Sequence, residues 1–311
     1  MTTATKNERG FALLMVLLVL ALVAVVSAEF AYSMRLEAAA VRAYKNGIIG
    51  NHLAETALEQ AIREIVADTP FVVEEDDGLL TFYTADRRPL PRLRREKAEF
   101  GGGRYSYRIT DEEARLNVNT SAPDRIDRLL QTLGLEKEVR DTIVDSIQDW
   151  RDPDEAHRLN GAESDDYYLK LPVPYRARNA NIESITELLQ IKGITPAIYN
   201  GTKDRPGLAA LVTARGAGQV NMNTAGPAVL SALGLSTAEI TEIMQARHNA
   251  GPYTSPARFS GRTLSVATQT FRVEAEGIVD DRVVARLTAI VQRKTDGDPP
   301  SAVVLEWSGL R

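Results

Sequence analysis

Arg9-Gly10-Phe11-Ala12-Leu13-Leu14-Met15-Val16-Leu17-Leu18-Val19-Leu20-Ala21-Leu22-Val23-Ala24-Val25-Val26-Ser27-Ala28 carries no charge from Phe11 onward. A helix needs about 20 apolar residues to cross a hydrocarbon layer of roughly 30 Å, so this stretch sits at the short end of what spans a bilayer. Lys6 and Arg9 precede it and Glu29 follows it, which orients the long C-terminal part away from the cytoplasm. A cleaved secretory signal, cut near Ser27-Ala28, is the alternative. Against it stand the length of the apolar run, its abrupt start at Gly10-Phe11, and helix-compatible sequence without Pro or Gly until Gly47. A retained anchor is the expectation, and the rest of the chain is its cargo.

Helical periodicity continues from Glu29 to about Ala67, with Gly47 and Gly50 as places for a local bend, until Asp68-Thr69-Pro70 stops it. Leu79-Leu80-Thr81-Phe82-Tyr83 reads as a short strand, 86–97 as an exposed Arg- and Pro-rich loop, and Arg104 to Thr110 as an alternating, half-buried strand. Helices then dominate: one from Ser121 to Leu133, one from Glu136 to Trp150, one from Asn181 to Ile191, and a pair from Asn223 to Leu233 and Thr237 to Arg247. Strands return at Thr270–Val279, turn at Asp280-Asp281, resume at Val283–Val291 and end with Ser301–Trp307. A helical block enclosed by strands implies an insertion within one sheet.

That block repeats itself. Val118-Asn119-Thr120 matches Met222-Asn223-Thr224, and each leads to a Leu-Gly-Leu turn, at Leu133-Gly134-Leu135 and Leu233-Gly234-Leu235. Ile191-Lys192-Gly193-Ile194 is a weaker third copy. The implied unit is helix, tight Gly turn, helix.

Composition narrows the chemistry. With 44% hydrophobic residues the 311-residue chain can bury a large core, and its net charge of -5 argues against a protein built to neutralise phosphate backbones. Cys is absent, which excludes disulfides, thiolate metal sites and cysteine nucleophiles. The three His residues, His52, His157 and His248, are scattered, and neither a Gly-x-Ser-x-Gly elbow nor a P-loop is present. Nothing here points to an enzyme.

Two constellations remain. The first resembles a helix-hairpin-helix DNA-binding module, with Gly234 in the turn and Arg247 on the following helix as phosphate contacts; where such modules want a second glycine the three copies have Ser236, Glu136 and Thr195, which crowd or repel a phosphate. Structural packing is the competing reading. The second is the acidic run Asp149-Trp150-Arg151-Asp152-Pro153-Asp154-Glu155, followed by Glu163, Asp165 and Asp166 before Tyr167-Tyr168. Carboxylates on a Pro- and Gly-containing loop can converge on a hard cation, and Ca²⁺ takes six to eight oxygens. The same residues can serve as turn formers and helix caps.

Gly10-Phe11 before an unbroken apolar helix resembles the processing site of type IV pilin-like proteins. Leu116-Asn117-Val118-Asn119, the Asp149 to Tyr168 loop, Val220-Asn221-Met222-Asn223-Thr224-Ala225 and the closing strands are similar to the minor pseudopilin K family of type II secretion systems. The resemblance implies an α+β fold: a pilin-like long N-terminal helix packed on an antiparallel sheet, with a large all-α domain of helix-hairpin-helix or SAM-like repeats inserted between strands. It implies a leader at 1–10, a helix at 11–67 with 11–28 in the membrane, a sheet domain at 68–116 and 268–311, and an insert at 117–267. It further implies cleavage after Gly10 and methylation of Phe11 by prepilin peptidase, a place in the bacterial inner membrane with the bulk in the periplasm, and minor pseudopilins I and J as partners at a pseudopilus tip. Calcium is the implied cofactor, with Asp149, Asp152, Asp154, Glu163, Asp165 and Asp166 as candidate ligands, and nucleic acid is not an expected partner. Most pseudopilins have a Glu five residues after the cleaved glycine; Met15 stands there, a departure the K subunits share. The competing function is a membrane-anchored periplasmic DNA-binding protein.

Overall fold

The computed structural model describes residues 8–67, 69–75, 77–297 and 300–309; most of the expected leader lies outside them. The chain opens with α1 (Glu8–Ile65), followed by β1 (Phe71–Glu74), β2 (Leu80–Tyr83), β3 (Ala98–Phe100) and β4 (Gly103–Asp111). A middle section holds β5 (Leu116–Asn117), α2 (Pro123–Thr132), α3 (Lys137–Arg151), α4 (Pro196–Asn200), β6 (Gly201–Thr202), β7 (Arg205–Pro206), α5 (Leu208–Leu211), β8 (Val212–Thr213), β9 (Val220–Asn221), α6 (Pro227–Ala232), α7 (Thr237–Ala250) and β10 (Leu264–Ser265). β11 (Thr270–Val279), β12 (Arg282–Lys294) and β13 (Ser301–Gly309) close the chain.

The long strands form one antiparallel sheet in the order β13-β12-β11-β4-β3. β11 and β12 join through a two-residue hairpin turn, where Asp280 and Asp281 both adopt positive φ, 50° and 60°, the pair of left-handed residues that such a turn favours. The second half of α1 lies across β4, β11 and β12. Leu53, Ala54, Ala57, Leu58, Ala61 and Ile65 recur at helical spacing on its buried face. The alanines bring the helix axis close to the sheet, and at Gly50 and Gly277 the two backbones meet. A Cβ on Gly277 would collide with the Gly50 carbonyl, and one on Gly50 with Val284. The helix runs unbroken through Gly47 and Gly50, so Gly50 serves close approach rather than bending.

Beyond Ile65 the expected stop is built by a cross-strand cap: Arg293 of β12 donates to the Thr69 carbonyl at 2.7 Å and the Ile65 carbonyl at 3.5 Å. The loop at 86–97 is exposed as expected, apart from Leu90 and Arg95. Arg95 is buried, donating to Glu64 at 2.6 Å and to the Leu80 carbonyl at 2.9 Å, while the Tyr107 hydroxyl also donates to Glu64. β1 is a strand the periodicity does not announce, because Val72 and Val73 are both buried and alternation is lost.

Everything from Glu112 to Gln269 departs between β4 and β11, which are neighbours in the sheet. This section has its own hydrophobic core, separate from the one under α1. It is made of two similar modules. In the first, Asn117 Oδ1 accepts from the Asn119 amide, and the Asn119 side chain grips Ile182 and Ala214. In the second, Asn221 Oδ1 accepts from the Asn223 amide, and Asn223 grips Tyr253 and Val266. Each module then runs through a helix to a left-handed glycine, Gly134 at φ 72° and Gly234 at φ 82°. The amides of Leu135 and Leu235 reach back to Leu130 and Leu230, the wrapped helix end that a positive-φ glycine permits.

Where a helix was expected from Asn181 to Ile191, only a 3₁₀ turn forms, over Ile185–Gln190. Ile182 is held extended by Asn119, and the Ser184–Glu187 capping box fixes the later start. In the same way α6 begins at Pro227, since the Asn221–Thr224 turn consumes the preceding residues.

The α1–sheet contact yields a paired expectation for thermal and denaturant melts of the detergent-solubilised chain. Gly277→Ala should destabilise it by about 3 kcal/mol through overpacking. Gly47→Ala, where a Cβ meets nothing within 4 Å, should stabilise the helix by up to about 1 kcal/mol.

Candidate functional site

The acidic run begins where α3 ends, on a post of aromatic rings. Trp150 is buried with its ring edge-on to Tyr168 at 5.2 Å and to Tyr175 at 6.3 Å, and Tyr167 meets Tyr168 at 5.2 Å. Seven carboxylates and two arginines lie between positions 149 and 166, so the loop must place a large negative charge.

Part of that charge is structural. Asp149, 0% exposed, accepts from the amides of Arg158 and Ala162 and from the Arg158 guanidinium at 2.6 Å. The same guanidinium reaches Asp152 Oδ2 at 2.6 Å. Gly161 is obligatory here, because a Cβ would strike the Asp149 carboxylate. Asp154 accepts from the Ala156 amide and Asp166 from the Glu163 amide, both as local turn formers. Asp165 is exposed.

Glu163 is different. It is 1% exposed, yet neither carboxylate oxygen has a donor among the described residues. Burial, followed by the charges of Asp149, Glu155, Asp152 and Asp154, pushes its carboxyl up to about 8. Asp152 Oδ1 and Asn179 Oδ1 are likewise buried without donors. Asn179 itself, at φ 50°, donates to Glu155 at 3.0 Å and to the Asp154 carbonyl at 3.2 Å. Orphaned buried oxygens are rare in folded proteins and ask for a counter-charge. This all-oxygen donor set suits a hard cation such as Ca²⁺. Among the described residues no group of three or more His, Asp or Glu side chains is placed to hold a metal ion. Of the sequence candidates, Asp152 and Glu163 present free oxygens, Asp154 borders them, and Asp149, Asp165 and Asp166 are turned to other tasks or to solvent. Asn179, neutral and remote in sequence, carried no signal.

The phosphate-contact reading of Arg247 fails on burial. Arg247 is 6% exposed and donates to the carbonyls of Met222 at 3.3 Å and Ala225 at 2.9 Å. Arg151 does the same in the first module, donating to Val118 at 2.5 Å and Ser121 at 3.4 Å. Both arginines clamp the start of their module. Gly234 remains open, with nothing within 4 Å of the point a Cβ would occupy, but its own carbonyl accepts from Arg262.

At the other end of the molecule, every residue from Gly10 to Lys45 is exposed, Phe11 at 67% and Met15 among them. The apolar window of α1 has a mean hydropathy of 3.0 and is long enough to cross a membrane.

A long helix with an uncovered apolar half, laid on an antiparallel sheet that carries a helical insertion, defines a pilin-like α+β protein. Residues 107–211 match the family model described as Type II secretion system (T2SS), protein K. Type II secretion system protein K of Pseudomonas aeruginosa is 28% identical over 94% of this chain and 91% of its own. The corresponding protein of Pectobacterium carotovorum is 35% identical over 32% of this chain and 34% of its own. The fold is similar, with a TM-score of 0.63 and 17% identity over 88% of this chain and 99% of the other, to a chain in the crystal structure of the GspK-GspI-GspJ complex from enterotoxigenic Escherichia coli. The likeness to type II secretion system protein K thus runs through nearly the whole chain.

A buried acid whose folded pKa lies above the ordinary 4.5 is harmless while protonated and costs stability once ionised. With a chelator present, stability should therefore decline as pH rises from about 4.5 to about 8 and level off above that. Glu163→Gln should make the decline shallower and leave the variant more stable at the alkaline end, by on the order of a few kcal/mol.

Proposed function

We propose that the protein is a minor pseudopilin of the type II secretion system, acting by assembly rather than catalysis. The observation that carries this reading is the uncovered half of α1. A soluble protein rarely exposes a contiguous apolar surface of that length, so it requires lipid before assembly and other helices after it. Support comes from the protein K relatives and from the fold shared with a chain crystallised as a GspK-GspI-GspJ complex. In this reading the leader ends at Gly10, prepilin peptidase cleaves there and methylates Phe11, and α1 anchors the chain in the inner membrane with its C-terminal bulk in the periplasm.

Pseudopilins I and J are the partners. Residues 68–116 and 268–311 form the sheet domain, and 117–267 form the insert that caps the filament tip. Met15 fits an end position: a carboxylate in lipid is expensive unless it pairs, and a subunit lacking it offers no acid to a neighbour's amine above it. Calcium belongs to the same reading, held by the free oxygens of Glu163 and Asp152 with Asp154, Glu155 and Asn179 around them, where it would supply the positive charge that the loop lacks.

Two measurements test these statements. Gly10→Ala should leave an unprocessed precursor and stop secretion; normal processing of that variant would sink the assembly reading. Calcium added to chelator-treated full-length protein in detergent should raise the melting temperature, with Glu163→Gln losing the response. An unchanged melt at saturating calcium removes the ion from the proposal.

A further inference from the structure

The chain leaves the sheet at Asp111 and returns at Thr270, and the seam there is made of three consecutive buried acids. Asp111 accepts from Asn221 at 2.8 Å and Thr224 at 2.6 Å, both in the second module, and from the Glu113 amide at 2.8 Å. Glu112 takes Arg272 of β11 through two bonds, at 2.9 and 3.0 Å, and pairs with Arg115 as well. Glu113 accepts from the Thr270 hydroxyl at 2.9 Å. Each acid thus ties the insert or its exit strand to the sheet.

The three are not equally compensated. Two guanidinium groups hold Glu112 below its ordinary range despite its burial. The donors on Asp111 and Glu113 are neutral hydroxyls and amides. Burial, then the charge of Asp111, pushes Glu113 up to about 7, and burial raises Asp111 too. From β1, Glu74 adds another acid raised chiefly by burial, partly offset by Arg247 and Arg115.

We propose that this seam is a proton-operated latch, holding the insert on the sheet more tightly in mildly acidic surroundings than in neutral or alkaline ones. With the Glu113 proton in place, that residue adds no charge to the seam. Once it leaves, the Glu113 charge stands in a dry site beside Asp111, and opening the seam to water relieves its desolvation. Because the folded pKa is raised, the hold is complete below about 4.5 as far as Glu113 is concerned and is lost as pH climbs through about 7. Glu112 has the opposite sign: its contribution fades in stronger acid, which confines the tight state to the mildly acidic window.

The test is amide hydrogen exchange on the full chain in detergent, followed on peptides covering 107–118 and 264–275 and corrected for intrinsic rates. The opening constant there should rise about thirtyfold between about pH 5.5 and about pH 8.5, the ratio set by a carboxyl moving between 4.5 in the open state and about 7 in the closed one. Glu113→Gln should flatten that profile, whereas Glu163→Gln, remote from the seam, should leave it in place. Thr270→Val, which removes a donor to the ionised carboxylate, should move the rise to higher pH. A flat wild-type profile, a thirtyfold rise that survives Glu113→Gln, or a Thr270→Val profile superimposable on the wild type each overturns the latch.

Discussion

The close contact of α1 with the sheet is the constraint on which the rest depends. Ala54, Ala57 and Ala61 bring the helix down onto β4, β11 and β12, and Gly50 and Gly277 remove the last side chains that would hold the backbones apart. Larger residues would fill the gap but lift the helix and tilt it. The contact fixes one end of a long helix whose other end has no partner among the described residues. One backbone therefore belongs to two environments, and the boundary falls near Asn46, where the first side chains become partly covered.

The insert answers a different problem. Two modules related by the same asparagine grip, the same glycine turn and the same arginine clamp build a continuous apolar core without help from the sheet. Their buried asparagine side chains are satisfied by repetition of one hydrogen-bonding scheme. The acidic loop after α3 departs from that order. Its aromatic post is well packed and Asp149 is fully bonded, whereas Glu163 is buried among other carboxylates without a donor. Such a local conflict within an otherwise consistent structure marks a place shaped by something other than stability.

Much of this architecture was legible in the sequence, and the reasons differ by element. α1 announces itself through an apolar run that passes into helical periodicity, and β4, β11 and β12 through alternation around Gly and Asp turns. The internal echo was visible because asparagine and glycine have few substitutes at those positions. What stayed hidden depends on tertiary contact. β1 is buried on both faces and loses its alternation, and the stretch at Asn181 gives up its helix because Asn119 holds it extended. Arg247 looked like a surface cation, since nothing local reveals that two carbonyls await it. In the acidic loop the sequence marked the right region, but which oxygens lack donors follows from the path of Arg158 and Asn179.

The placement of the insert between adjacent strands also bears on how the molecule comes to be folded. Glu112 and Arg272 meet across 160 residues of chain. For an unstructured loop of that length, closure alone costs about 4–5 kcal/mol of entropy, and strand pairings that remote are intrinsically slow. A folded insert removes most of that cost, because its first and last strands, β5 and β10, are already anchored in one compact body. An insert folded first would deliver its two ends side by side, and β4 and β11 would then close as though they were consecutive.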